Sequence, residues 1–167
     1  MTSSEPRTLV AGLGNIFLGD DAFGVELAKR LLSAPVPPEV RILDVGIRSM
    51  HLAYELVETR YETVIFLDAI RRDGEPGTLY VLEAAGDVVP TSPAPDGHTI
   101  TPGDVLALVR TLGGRTGRVV IVACEALRID QEAGLSLTVA AAVDEAVPIV
   151  ERLIAESLAN AAAPTGA

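Results

Sequence analysis

The chain has 167 residues, enough for one domain with a sizeable core, and its 49% hydrophobic and 22% charged residues are a globular rather than a disordered balance. A net charge of -10 argues against a nucleic-acid binder, which needs a basic stripe for phosphate contacts. The single cysteine, Cys124, excludes an intramolecular disulfide and a zinc site built on several cysteines, and with no Trp the core must rest on Val, Leu, Ile and Ala.

The polar start MTSSEPR lacks the basic and apolar segments of a signal peptide. No apolar run approaches the roughly 18 residues of a membrane span. The expected location is therefore the cytoplasm, with no membrane partner. Residues 8–13 (TLVAGL) read as a first strand, closed by Gly14 and Asn15. Residues 22–32 follow as a helix, with Phe23, Val25, Leu27, Ala28, Leu31 and Leu32 at helical spacing. Asp20 and Asp21 both compete to cap it, and Asp20 is the preferred cap. Residues 41–45 (RILDV) form a second strand ending at Gly46, and residues 50–57 a short helix with His51 on its surface. Residues 62–70 (ETVIFLDAI) are the clearest buried strand. Residues 78–83 (TLYVLE) make a fourth strand, at an edge and suited to antiparallel pairing.

Residues 87–102 (DVVPTSPAPDGHTITP) break the pattern and read as a long loop, which in a compact domain is usually functional or disordered. It carries His98. A helix over residues 102–112 follows, with Thr101 as N-cap and Pro102 in its first turn. Residues 118–124 (RVVIVAC) are the fifth strand, and residues 136–158 a long Ala-rich helix containing Pro148. The whole reads as a single α/β domain over residues 1–160: a three-layer sandwich with a mostly parallel, twisted sheet of about five strands flanked by helices. Residues 161–167 read as a flexible tail.

In such sheets, sites lie beyond the carboxyl ends of the strands. Those ends carry Asn15, Asp20 and Asp21 after the first strand, Asp44 on the second, Asp68 on the third and Glu125 after the fifth, with His98 before the helix over residues 102–112. An acidic rim with one imidazole suits a zinc, nickel, iron or manganese ion, and three protein ligands leave positions open for water or substrate. Each residue also has a plainer role: a helix cap for Asp21, a turn for Asp68 and Asp44, a solvated loop side chain for His98, and a small core residue for Cys124.

The segment GLGNIF begins like a dinucleotide fingerprint, but Phe17 stands where its third glycine belongs, and no Gly-Lys-Ser/Thr phosphate loop exists. No nucleotide or flavin is expected. A phosphoacceptor receiver domain shares an early acidic pair and an Asp at the third strand end. Its lysine after the fifth strand is absent here, where the chain reads CEALR.

The segment GLGNIFLGDDAFGVELAKRL (residues 12–31) resembles the nickel–iron hydrogenase maturation endopeptidases. The strand, the G-x-G-N turn, the leucine-containing loop, the acidic pair and the glycine inside the following helix all occur in order. The resemblance continues through DVGIRSMHLAYEL, VIFLDAI, the His98 loop and VACEALRIDQEAGLSLTVAAAV. It implies an endopeptidase that removes a C-terminal extension from the precursor of a hydrogenase large subunit once nickel is in place. It implies that Asp21, Asp68 and His98 contact the metal, that Asp21 and Asp68 serve catalysis, and that nickel arrives on the substrate. Asp44, Asn15 and Glu125 are secondary candidates. Several family members carry Glu where this chain has Asp21, and a Gly-Gly-Thr turn where it has Val45-Gly46-Ile47. The alternatives are a receiver-like signalling domain or a non-catalytic docking protein on the same fold.

Overall fold

The computed structural model describes residues 5–85 and 100–163. Five strands form one sheet: β1 (Thr8–Leu13), β2 (Val40–Gly46), β3 (Thr63–Ile70), β4 (Leu79–Glu83) and β5 (Arg118–Glu125). Their order is β2-β1-β3-β5-β4. The first four in that order pair in parallel, and β4 joins the β5 edge antiparallel. The expected edge strand is thus borne out. Strand β3 is buried along nearly all of its length, because a parallel strand between two others has a helix layer on both faces. That is why its sequence is a continuous apolar run rather than an alternation.

The helices are α1 (Phe23–Leu32), α2 (Ser49–Glu58), α3 (Pro102–Thr111) and α4 (Leu137–Ala162). Side chains alternate across the strands and so build two cores. Val10, Ile65, Leu67 and Val122 pack with Phe23, Leu27 and Leu31 of α1 and Val143, Val150 and Ile154 of α4. Leu9, Ala11, Phe66 and Ile121 pack with Leu52 and Leu56 of α2 and Val105 and Val109 of α3. This is the expected three-layer sandwich.

Helix α3 starts as expected. The Thr101 hydroxyl accepts the Asp104 N–H at 3.2 Å, while the Asp104 carboxylate accepts the Thr101 N–H at 2.9 Å: a reciprocal capping box, with Pro102 in the first turn. Helix α4 runs unbroken through Pro148 to Ala162, four residues past the expected end at Leu158. Residues 161 and 162, assigned to the tail, are therefore helical.

The start of α1 departs from expectation. Residues Gly19–Ala22 form a separate 3-10 turn before α1 begins at Phe23, and neither end is capped by a side chain. Asp20 is not a cap. Its carboxylate reaches across the domain to the segment between β5 and α4. Oδ1 accepts the Ser136 N–H at 2.7 Å, and Oδ2 accepts from Leu127 N, Arg128 N and Ser136 Oγ at 2.9, 3.0 and 3.0 Å.

Candidate functional site

Two close backbone approaches set the site. A Cβ on Gly24, early in α1, would lie 2.1 Å from the Leu67 carbonyl and 2.5 Å from that of Leu13. Gly24 therefore lets α1 rest directly on the carboxyl ends of β1 and β3. Gly14 (φ 131) closes the other side, since a Cβ there would lie 1.8 Å from the Asp21 carbonyl. The chain leaving β1 folds back so tightly that the 3-10 turn sits at the tip of the sheet. Asp21, on that turn, faces the region of Asp68 near the end of β3.

Both carboxylates are buried, at 2% exposure for Asp21 and 7% for Asp68. Asp21 Oδ2 accepts the Asn15 N–H at 2.7 Å, and Asn15 Oδ1 accepts the Phe17 N–H at 2.9 Å. Asn15 thus shapes the loop and presents its own N–H to Asp21. Asp68 Oδ1 accepts the N–H of Ala69 at 2.9 Å. Burial raises the Asp21 pKa above the ordinary carboxylate value, and the Asn15 N–H partly offsets this. Asp68 is raised well above it, first by burial and then by the nearby charge of Asp21, against the smaller effect of the Ala69 N–H. Burial thus holds both carboxyls toward their neutral forms, and the charge of Asp21 adds to this at Asp68.

The other expected residues divide. His98 lies outside the described residues. Among the described residues, no three His, Cys, Asp or Glu side chains converge as a metal-binding group. Asp44 sits beside Gly12 in the register, and its carbonyl accepts from Arg48 Nη2 at 2.6 Å. It lines a recess with Arg48, His51 and Glu55. Glu125 is 3% exposed and faces the turn after β3: Oε1 accepts the Arg72 N–H at 2.9 Å and Oε2 the Tyr80 hydroxyl at 3.2 Å. It braces that turn. Cys124 is fully buried in the core under α1 and α4, and burial pushes its thiol up to about 12, so it is a packing residue and no nucleophile. Sequence reasoning missed the role of Asp20. Its partners lie 107 to 116 residues away, and no local pattern announces them.

A mostly parallel sheet covered on both faces, with two buried carboxylates at the carboxyl end of its inner strands, has the layout of an α/β enzyme. Residues 25–153 match the family described as hydrogenase maturation protease. The hydrogenase 2 maturation protease of Escherichia coli K12 is 30% identical over 155 residues, covering 90% of this chain and 92% of that protein. The hydrogenase expression/formation protein HupD of Rhodobacter capsulatus is 30% identical over 146 residues, covering 84% of this chain and 68% of that one. The solved hydrogenase maturating endopeptidase HybD from E. coli superposes with a TM-score of 0.76 at 30% identity, over 90% of this chain and 93% of its own. The chain belongs to the hydrogenase maturation protease family, and is a hydrolase of the protease class.

Proposed function

We propose that this protease removes a C-terminal extension from the precursor of a nickel–iron hydrogenase large subunit, in the cytoplasm, after nickel has been inserted. The observation that carries the reading is the buried Asp21–Asp68 pair. Two buried carboxylates, one close enough for its charge to act on the other, favour a positive charge brought to them, and their oxygens suit a borderline divalent ion. Nickel comes with the substrate, on the precursor's own side chains. Asp21, Asp68 and His98 complete its coordination, which makes cleavage conditional on a loaded precursor. Asp68, whose burial raises its proton affinity, is the better placed of the two acids to act as general base toward an attacking water.

The test compares nickel-loaded with nickel-free large-subunit precursor, scored by loss of the C-terminal extension on a gel and by mass. Cleavage of the loaded form alone is expected. Equal cleavage of both removes nickel from the reading, and cleavage of neither removes this substrate. His98→Ala should lose about tenfold to a hundredfold or more in cleavage rate, with its melting curve checked beside it, on the order of what loss of a metal ligand's orienting partner costs. Wild-type activity in that variant would take His98 out of the site. Membership of the hydrogenase maturation protease family counts against the receiver-like alternative, whereas precursor binding without any cleavage would support the docking-protein one.

A further inference from the structure

Asp68 lies two residues before the end of β3, and a turn follows at once. Glu125, the last residue of β5, holds that turn. In the register, Asp68 stands beside Ala123 and Ile70 beside Glu125. Side chains alternate along a strand, and Phe66, Ile70, Ile121 and Ala123 all pack into the core under α2 and α3. Asp68 and Glu125 therefore leave the sheet on that same face, with Ile70, itself only 7% exposed, next to both.

Glu125 is bonded to three residues of the β3–β4 connection. Oε1 accepts the Arg72 N–H at 2.9 Å, the Glu125 carbonyl accepts the Gly77 N–H at 2.8 Å, and the Glu125 N–H donates to the Thr78 carbonyl at 2.8 Å. Oε2 accepts the Tyr80 hydroxyl at 3.2 Å, and the Arg72 guanidinium lies 5.4 Å over the centre of the Tyr80 ring. The connection passes so close that a Cβ on Gly74 would lie 2.3 Å from Tyr80 Oη and 3.2 Å from Glu125 Oε2. The backbone bonds would form with any residue at this position. The Arg72 N–H and the Tyr80 hydroxyl need the carboxylate itself.

We infer that Glu125 is a positioning residue for the proteolysis: its side chain fixes the turn that begins three residues past Asp68, and so fixes the backbone that aims the Asp68 carboxylate. The link is the Ala69 N–H, which donates to Asp68 Oδ1 at 2.9 Å, so the direction of that carboxylate follows the backbone at residues 69 and 70. The inference rests on the proposed role of Asp68 and adds the group that keeps Asp68 in place. Glu125 acts through the turn and touches no reacting atom. A small misplacement of a group that must meet a reacting atom lowers turnover by up to about a hundredfold while leaving binding elsewhere intact.

Glu125→Leu keeps the bulk and loses both side-chain bonds. Glu125→Gln keeps both, its amide oxygen accepting the Arg72 N–H and its NH2 donating to the Tyr80 oxygen. Ser157→Ala is the control for lost stability alone, since its hydroxyl bonds Thr8 at 2.8 Å at the opposite end of the sheet. Cleavage of nickel-loaded, full-length precursor gives kcat and KM. Exchange of the Ala69 amide hydrogen, followed by NMR and compared with that of Val64 at the start of the same strand, reads the Asp68 backbone without substrate. In Glu125→Leu, kcat should fall about tenfold or more with KM within about threefold, and Ala69 exchange should quicken about tenfold relative to Val64. Glu125→Gln should restore both readings, and Ser157→Ala should leave both unchanged. Gly74→Ala presses on the same cluster from the turn and should give the same split, which decides the matter if Glu125→Leu does not fold. Unchanged kcat or unchanged relative exchange in the perturbed variant overturns the inference, as does a Gln variant no better than the Leu variant. Wild-type protein that leaves the precursor uncut strikes the proposed function instead, and Ala69 exchange then decides this inference by itself.

Discussion

Asp20 and Asp21 are adjacent, chemically identical and both buried, yet they should respond in opposite ways to removal. Asp20→Ala takes away the acceptor for three backbone N–H groups and one hydroxyl, at 2.7 to 3.0 Å. An orphaned buried donor costs about 1–3 kcal/mol. The Leu127 and Arg128 N–H groups are partly exposed and recover some bonding from water, whereas both Ser136 groups are buried. The loss should therefore be about 3–5 kcal/mol, within the range for breaking a buried charged network. At about 2–4 °C per kcal/mol for a domain of this size, the melting temperature falls by roughly 6–20 °C. Asp21→Asn keeps an oxygen for the Asn15 N–H and removes a charge that burial disfavours, so its melting temperature should hold or rise while cleavage is lost. Calorimetry at pH 7 on the two variants decides the matter. A fall of under about 2 °C for Asp20→Ala, or an equal fall for both, would refute the division of roles.

Gly24→Ala should cost about 3 kcal/mol, read as a lower urea midpoint, because its Cβ meets strand carbonyls that cannot yield as side chains do; an unchanged midpoint would count against the close approach. Asp68→Asn should stabilise the protein increasingly as pH rises. Below about pH 3.9 the carboxyl is protonated in both folded and unfolded chains and makes no difference. Above that, the unfolded chain releases the proton while the folded chain, with its raised pKa, retains it, so the wild type loses stability until its folded pKa is passed. Parallel melting curves for variant and wild type from pH 4 to 8 would contradict the burial of Asp68 as a charge. Cys124 should resist a thiol reagent in the native protein at pH 8 and react fully in denaturant, since burial holds it as a neutral thiol; rapid native labelling would show otherwise.

The helices and strands were legible because their signals are local. Phe23, Leu27 and Leu31 repeat at helical spacing, TVIFLDAI is a continuous apolar run, and Thr101-Pro102 opens α3 with its own chemistry. The strand-end rule also picked out Asp21 and Asp68, whose coupled burial is consistent with a working site. What stayed hidden depends on contacts distant in sequence. Nothing beside Asp20 indicates that Leu127, Arg128 and Ser136 will turn their N–H groups to it, so capping preference gave the wrong role. The partners of Glu125 were hidden for the same reason, because Arg72 and Tyr80 lie 53 and 45 residues away.

The division of labour within Asp20-Asp21 bears on how the site persists at all. Burial disfavours the charge of both acids, and the Asn15 N–H is the one hydrogen bond described to the Asp21 carboxylate. Asp20 supplies the firmer hold on the turn. Its four hydrogen bonds tie the same turn to the segment that leads from β5 into α4. Glu125, the last residue of β5, ties its end in turn to the loop that follows Asp68 through the Arg72 N–H, and to β4 through the Tyr80 hydroxyl. The two acids are thus held together from behind by one piece of chain, with the stabilising carboxylate directly preceding the destabilised one. Under the proposed function, a cation carried in by the substrate meets a pair already confined, so its attraction to them goes into binding the loaded precursor rather than into assembling the site.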